Sequence, residues 1–210
     1  LFTKNLIDFL LPISCINCQK EGSYLCEDCL SLIEILDRQY CPFCPSPKVV
    51  SDGKTCNQCR RTKSLTGLYC SASYENFIVK KLIQQFKYEP YVKELAKPLA
   101  LLIIAHFLNL NKSFFEEFIL IPVPLHKKRL KQRGFNPAEE IAKELSTKIK
   151  IPLFNNVLLK IKPTLPQVEL EKEKRKNNLK GAFLCQKKEV IKNKKILLVD
   201  DVFTTGTTLE

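Results

Sequence analysis

The chain has 210 residues, 45% of them hydrophobic and 27% charged, and its 34 Lys and Arg against 22 Asp and Glu give a net charge of +12. Such an apolar fraction excludes wholesale disorder, and the length admits one or two domains. The longest apolar stretch, Leu99 to Ala105, is far short of the ~20 residues that a spanning helix requires, so no transmembrane segment is expected.

In chain order, residues 1–10 read as a short apolar helix. The run from Leu6 to Ile13 contains Asp8 and leads straight into a cysteine pair, so it is not read as a secretory leader, and a cytoplasmic location is expected. Residues 13–60 form a cysteine module. Eight of the ten cysteines fall in four C-x-x-C pairs: Cys15 and Cys18, Cys26 and Cys29, Cys41 and Cys44, Cys56 and Cys59. A two-residue spacer lets both thiolates of a knuckle face one ion, so two tetrahedral Zn²⁺ sites are expected, closed by sulfur and therefore structural. The first two knuckles are paired here, and so are the last two, although a cross-braced pairing fits the same spacings. A thioredoxin-like role is disfavoured because four such pairs recur together. The lone Cys70 and Cys185 read as small apolar fillers.

After Arg60-Arg61 the composition changes. Residues 1–59 hold 5 basic and 7 acidic side chains, whereas 60–210 hold 29 and 15, so the basic excess belongs to the second part. That field favours polyanions such as nucleic acid or phosphate-rich metabolites, or is a solvated surface. Leu65–Tyr74 reads as a strand and Glu75–Tyr88 as a helix with Phe77, Ile78, Leu82, Ile83 and Phe86 apolar. Lys93–Leu110 reads as a longer buried helix holding His106, and Phe118–Val123 as a buried strand. Pro137–Lys150 opens with a proline at the first helical turn. Lys160–Asn178 lacks any period and reads as an extended or mobile loop. Ile196–Val199 is a final apolar strand. Helices alternating with buried strands point to a parallel α/β sheet. With His106 and His126 as the only histidines, Ser-His-Asp or Cys-His catalysis has little material.

The last segment carries the chemistry. Behind its strand stand Asp200 and Asp201, then Thr204, Thr205, Gly206, Thr207 and Thr208. Successive backbone N–H groups, hydroxyls and a glycine make a phosphate cradle, and the two carboxylates are placed to accept hydrogen bonds from a vicinal diol. A ribose 5-phosphate satisfies both halves. A P-loop is excluded because no Gly-Lys-Ser/Thr follows.

The run ILLVDDVFTTGTTL resembles the 5-phosphoribosyl-1-pyrophosphate (PRPP) motif of type I phosphoribosyltransferases. Together with the four cysteine pairs, FKY at 86–88, PVPLHKKRLKQRGFN at 122–136, TLPQ at 164–167, Arg175 and Asn178, and AF at 182–183, it resembles the ComF/ComFC family of bacterial DNA uptake. The resemblance implies a type I phosphoribosyltransferase-like α/β domain over 61–210, a parallel sheet flanked by helices, behind a double zinc ribbon over 1–60. It places a pyrophosphate-holding loop at 122–133 with Lys128, Arg129 and Arg133, and a flexible hood with Lys160, Thr164, Gln167, Arg175 and Asn178. Mg²⁺ is implied with PRPP, as are Asp200 and Asp201 as catalytic groups, a role in natural transformation with single-stranded DNA, and a competence-protein partner. Lys160 stands where the family pattern has arginine, and Pro137 where it has glutamine. The family also implies a helix and a strand after the cradle, so the chain is expected to be cut short there. Two activities stay open: phosphoribosyl transfer to an unknown acceptor, and a non-catalytic nucleic-acid module using Lys127–Arg133 and Lys172–Lys195.

Overall fold

The structure, a computed structural model, describes residues 12–111, 117–163, 179–204, 206, 208 and 209. The expected helix over 1–10 lies outside them, as do Thr164, Gln167, Arg175, Asn178, Thr205 and Thr207.

The cysteine module has little regular structure because its fixed points are thiols. It contains α1 (Glu27–Ser31), the antiparallel pair β1 (Gln39–Tyr40) and β2 (Val49–Val50), and α2 (Asn57–Arg60). Each helix starts directly after the first cysteine of a knuckle, at Cys26 and at Cys56. The strand predicted over Leu65–Tyr74 does not form. Its backbone is spent instead on the second ribbon's loops: Thr55 donates to the Thr66 carbonyl, Leu68 to Gly53, and the Cys70 N–H to the Gln39 side chain. With partners scattered over several loops, only a single bridge, Lys54 to Gly67, is left of a ladder.

α3 (Phe77–Lys87), expected over Glu75–Tyr88, begins two residues later because Asn76 accepts from the N–H groups of Ile78 and Val79, satisfying two of the donors a helix start leaves unpaired. It buries Ile78, Val79, Leu82, Ile83 and Phe86. Phe77 departs from the expected apolar face: it is 63% exposed, under the Lys81 ammonium. After a short 3-10 turn, α4 (Ala96–Asn109) packs on α6 (Pro137–Ile149), whose Pro137 sits in the first turn with Glu139 and Glu140. His106 of α4 is buried and its Nδ1–H donates to the Leu36 carbonyl at 2.8 Å, which ties this helix to the ribbon. Burial pulls its pKa below the ordinary histidine value, with the Leu36 bond opposing, so the ring is neutral.

Two strands carry the site. β3 (Phe118–Pro122) and β6 (Lys195–Val199) pair in parallel, Phe118 opposite Lys195 through to Pro122 opposite Val199. On its other side β3 is extended by residues 152–154, where Leu120 donates to Pro152 and accepts from Phe154. Leu120 faces the main core with α3, α4 and α6, while Ile119 and Ile121 face Val157 on the opposite side. Burial on both faces is what a parallel strand requires, and it accounts for the unbroken run Phe118–Pro122. Between these strands lie α5 (Lys127–Arg133), the antiparallel hairpin β4 (Leu158–Lys160) and β5 (Phe183–Cys185), and the short α7 (Lys188–Ile191). Residues 127–133, expected as a loop, are a helix: the His126 ring accepts from the Lys128 N–H and Gly134 closes the far end at φ 81°. No helix among the described residues is long and apolar enough to cross a membrane.

Candidate functional site

The eight paired cysteines form two separate clusters, Cys15, Cys18, Cys26 and Cys29 in one, Cys41, Cys44, Cys56 and Cys59 in the other, with all sulfurs of a cluster within 4.8 Å of one another. Pairing is therefore sequential rather than cross-braced. Sulfurs of Cys18 and Cys26 are 3.5 Å apart, those of Cys44 and Cys56 3.6 Å, those of Cys44 and Cys59 3.8 Å. Four thiolates each about 2.3 Å from one Zn²⁺ at tetrahedral angles lie about 3.8 Å apart, so both clusters fit that ion. Backbone donors assist. Burial pushes the Cys15 and Cys41 thiols up, but N–H groups of Cys18, Cys26 and Asn17 around the first, and of Cys56 and Phe43 around the second, outweigh it and bring both down to about 6. Cys70 belongs to neither cluster, and burial drives its thiol up to about 11, the state of an inert side chain. Cys185 likewise stands apart.

A different chemistry collects where β3 and β6 end. The chain leaves β6 at Asp200 and Asp201, and the Asp201 N–H bonds back to the Asp200 carboxylate at 2.9 Å. Burial, then the charge of Asp201, pushes Asp200 up to about 7. Three cations, Lys87, Arg133 and Lys160, come to this pair from three directions, and a fourth, Arg129, stands beside two of them. Lys87, the last residue of α3, places its ammonium 2.8 Å from the Asp201 carboxylate, with both side chains largely covered. Arg129 and Arg133 stand one turn apart on α5, both half-buried. Burial pulls Arg133 below the usual guanidinium value while Asp201 opposes the loss. Lys160, expected on a hood, sits at the end of β4; burial lowers it, Arg129 adds to that, and Asp200 holds it up. Lys128 lies exposed, one position off the Arg129 and Arg133 face.

The RGFN segment explains how this cluster is held. Gly134 reverses the chain, Phe135 packs on buried Phe86 with ring centroids 5.4 Å apart, and the Asn136 side chain donates to the Val123 carbonyl at 3.0 Å. Thus the end of α5, the end of α3 and the end of β3 are fastened together, and Lys87 and Arg133 are aimed at one point. Sequence reasoning gave Lys87 no role. Its signal was position: Val79, Ile83 and Lys87 recur every four residues on the covered side of α3, so its stem had to run inward.

Of the expected cradle, Thr204, Gly206 and Thr208 are described. Together with Asp200, Val202, Phe203 and Leu209 they line a recess of about 20 Å³, room for about one water. Gly206 is at φ 72°, and a Cβ there would lie 3.0 Å from the Phe203 ring and 3.3 Å from the Phe43 ring of the second ribbon. No other residue type fits that bend without displacing an aromatic ring. A phosphate needs more space than this recess offers. A groove of about 910 Å³ also touches the acid pair, but its walls along β6 and α4 are mainly apolar, Leu102, Ile196 and Leu198 among them. Lys54 and Arg60 are the cations among its described lining residues.

These features have counterparts elsewhere. Residues 6–72 match the double zinc ribbon domain and residues 130–210 the phosphoribosyl transferase domain. Competence protein F of Haemophilus influenzae is 31% identical over 209 residues, covering 93% of this chain and 86% of that protein. The chain belongs to the ComF/ComFC family. Competence protein ComFC of Bacillus subtilis is 25% identical over 202 residues, 90% of this chain and 76% of its own. The DNA utilization protein YhgH of Escherichia coli is 27% identical over 176 residues, 82% and 75% respectively. Within the ComF/ComFC frame, the phosphoribosyl transferase match takes in Arg133, Asp200, Asp201 and the threonine-glycine bend.

Proposed function

We propose that this ComF/ComFC protein binds PRPP in the crevice at the carboxyl ends of β3 and β6 and serves the uptake and handling of single-stranded DNA in the cytoplasm. The observation that carries the first half is the convergence of Lys87, Arg133 and Lys160, with Arg129 beside the last two, on Asp200 and Asp201 next to a threonine-glycine bend. An open parallel sheet places ligands just there, beyond the strand ends. The second half rests on relatives named for competence and DNA utilization. In this reading residues 1–60 are the ribbon, 61–210 are the phosphoribosyltransferase-like domain, and the ribbon surface is where a competence-protein partner docks.

Each residue then has a task. The bend of 204–208 takes the 5-phosphate through backbone N–H groups and hydroxyls. Asp200 and Asp201 accept from the ribose hydroxyls, and Arg129, Arg133 and Lys128 meet the pyrophosphate. Lys160 with Thr164, Gln167, Arg175 and Asn178 closes the site against water. Two carboxylates beside phosphate oxygens are the hard oxygen donors Mg²⁺ prefers, and when bound with the substrate it neutralises pyrophosphate charge. During transfer the bond between ribose C1 and the pyrophosphate oxygen breaks, its electron pair leaving with pyrophosphate. The acceptor's lone pair forms the new bond to C1, and its surplus proton passes to solvent. Guanidinium groups fixed beside the leaving oxygens lower that barrier without reorganising.

One observation favours a second activity beside this one. Lys187, Lys188, Lys192, Lys194 and Lys195 are exposed at the opposite, amino end of β6. These lysines of the second basic run, Lys172–Lys195, are therefore at the other end of the sheet from Lys127–Arg133, and DNA backbone bound by them leaves the crevice free. Titration with PRPP and Mg²⁺ tests the proposal. Binding in the parent, lost in Asp200→Asn/Asp201→Asn while single-stranded DNA still binds, supports two surfaces; absence of PRPP binding in the parent leaves the nucleic-acid module alone.

A further inference from the structure

We propose that Lys87 fills the cation position at Asp201 while the crevice is empty, so that a divalent cation enters only together with a phosphate-bearing ligand that draws the ammonium away. This inference rests on the sugar-phosphate reading for its ligand, and on geometry alone for its lock.

The geometry is specific. The Lys87 ammonium lies 2.8 Å from the Asp201 carboxylate, and the two side chains are 21% and 11% exposed. At that coverage solvent and salt screen the pair far less than they screen a surface bridge. The pair joins two elements distant in sequence, the last turn of α3 and the exit of β6, so neither partner is held by its neighbours in the chain. Phe86, fully buried against Phe135, fixes the helix end from which Lys87 reaches.

A bare divalent ion meets two obstacles in this setting. It must shed tightly held water and displace an ammonium already in contact, and it must enter among Arg129, Arg133 and Lys160, which with Lys87 set four cations against two carboxylates. A ligand carrying a pyrophosphate removes both. Its anionic oxygens give Lys87 another partner a few ångströms away, its charge reverses the repulsion, and Asp201 is then released toward the ribose hydroxyls and the cation. Lys87 is thus a positioning residue that decides in what order the site fills. Its exchange of partners couples metal and sugar-phosphate binding, and such coupling is reciprocal.

Mn²⁺ followed by electron paramagnetic resonance on the zinc-loaded full chain reads this directly. In the parent, Mn²⁺ alone should bind weakly, and PRPP should tighten it at least about tenfold, within the ordinary range of site-to-site coupling. In Lys87→Met, Mn²⁺ alone should bind about tenfold tighter than in the parent, while PRPP loses most of its effect on Mn²⁺. Lys87→Met/Asp201→Asn should lose that gain, and Lys87→Arg should keep the block. Equal Mn²⁺ affinity in the parent with and without bound PRPP overturns the proposal, and that comparison needs no variant to fold. A folded Lys87→Met with no gain in Mn²⁺ affinity overturns it too. Should PRPP fail to bind the parent while Lys87→Met still gains Mn²⁺, the sugar-phosphate reading falls and the lysine lock stands.

Discussion

The two ends of the β3 and β6 pair are both rich in cations, yet they are built differently. At the carboxyl end Lys87, Arg129, Arg133 and Lys160 are partly or largely covered and face two acids, and their helices are fastened by Phe86, Phe135 and Asn136. At the amino end Lys187, Lys188, Lys192, Lys194 and Lys195 stand in solvent, with Lys195 paired to exposed Glu117 and over the Phe118 ring. Covered charge is costly, and it persists where packing and counter-charges hold it in place. Solvated charge is cheap and adaptable. The first arrangement suits one small polyanion in one pose, the second a sliding contact with a long one.

The sharpest way to break this contrast is to remove the apolar foundation of the carboxyl end. Phe86→Ala should destabilise the protein by about 3–5 kcal/mol in urea denaturation, against about 0.5 kcal/mol or less for Lys188→Ala at the other end. Asp200→Asn/Asp201→Asn should weaken PRPP binding by at least about a hundredfold in calorimetry, roughly what two lost charge-assisted hydrogen bonds are worth, with DNA affinity unchanged. Replacing Lys187, Lys188, Lys192 and Lys194 with Gln should do the reverse: PRPP binding holds, and the slope of log affinity for single-stranded DNA against log salt falls by roughly 0.7 for each lysine that touches a phosphate. If instead the slope is moved by Arg129→Gln and Arg133→Gln, both ligands share the crevice.

The smallest effect is with pH. Asp200 is raised to about 7 by burial and then by Asp201, so below that value it is held protonated and donates instead of accepting. PRPP affinity should therefore rise several-fold from pH 6 to 8, a trend that Asp200→Asn abolishes. For stability the sign is opposite. A carboxyl with its folded value above its unfolded one favours folding while protonated in the native state, so that contribution fades as pH climbs from about 4 through about 7.

Much of this protein was readable from residue order alone, where the physics is local. A C-x-x-C pair needs only two intervening residues to aim both sulfurs, and so the eight clustered cysteines were expected, while the choice of sequential over cross-braced pairing needed the fold. Helical periodicity located α3, α4 and α6, and unbroken apolar runs located β3 and β6, although β6, read as a buried strand, leaves Ile196 and Leu198 exposed because nothing among the described residues covers that face. Order failed where a segment's partners are far away in the chain. Residues 65–74 alternate like a strand, but the ribbon loops claimed their hydrogen bonds. Residues 127–133 carry no apolar stripe to announce a helix, and the His126 and Gly134 caps define it. Lys160 lay in a stretch read as mobile, and pairing with Phe183 sets it at the end of a strand, where Asp200 acts on its charge.

What sequence determined, then, is the inventory: which thiols fall into fours, which apolar runs become strands, and which acids and threonines follow the last of them. Tertiary structure decided the company each one keeps. It set Lys187, Lys188, Lys192, Lys194 and Lys195 at the other end of the sheet from Lys127–Arg133, pressed Phe43 of the second ribbon on Gly206, and delivered Lys87 to Asp201 across 114 positions of chain. Such pairings depend on how whole faces pack, and no local spacing encodes them.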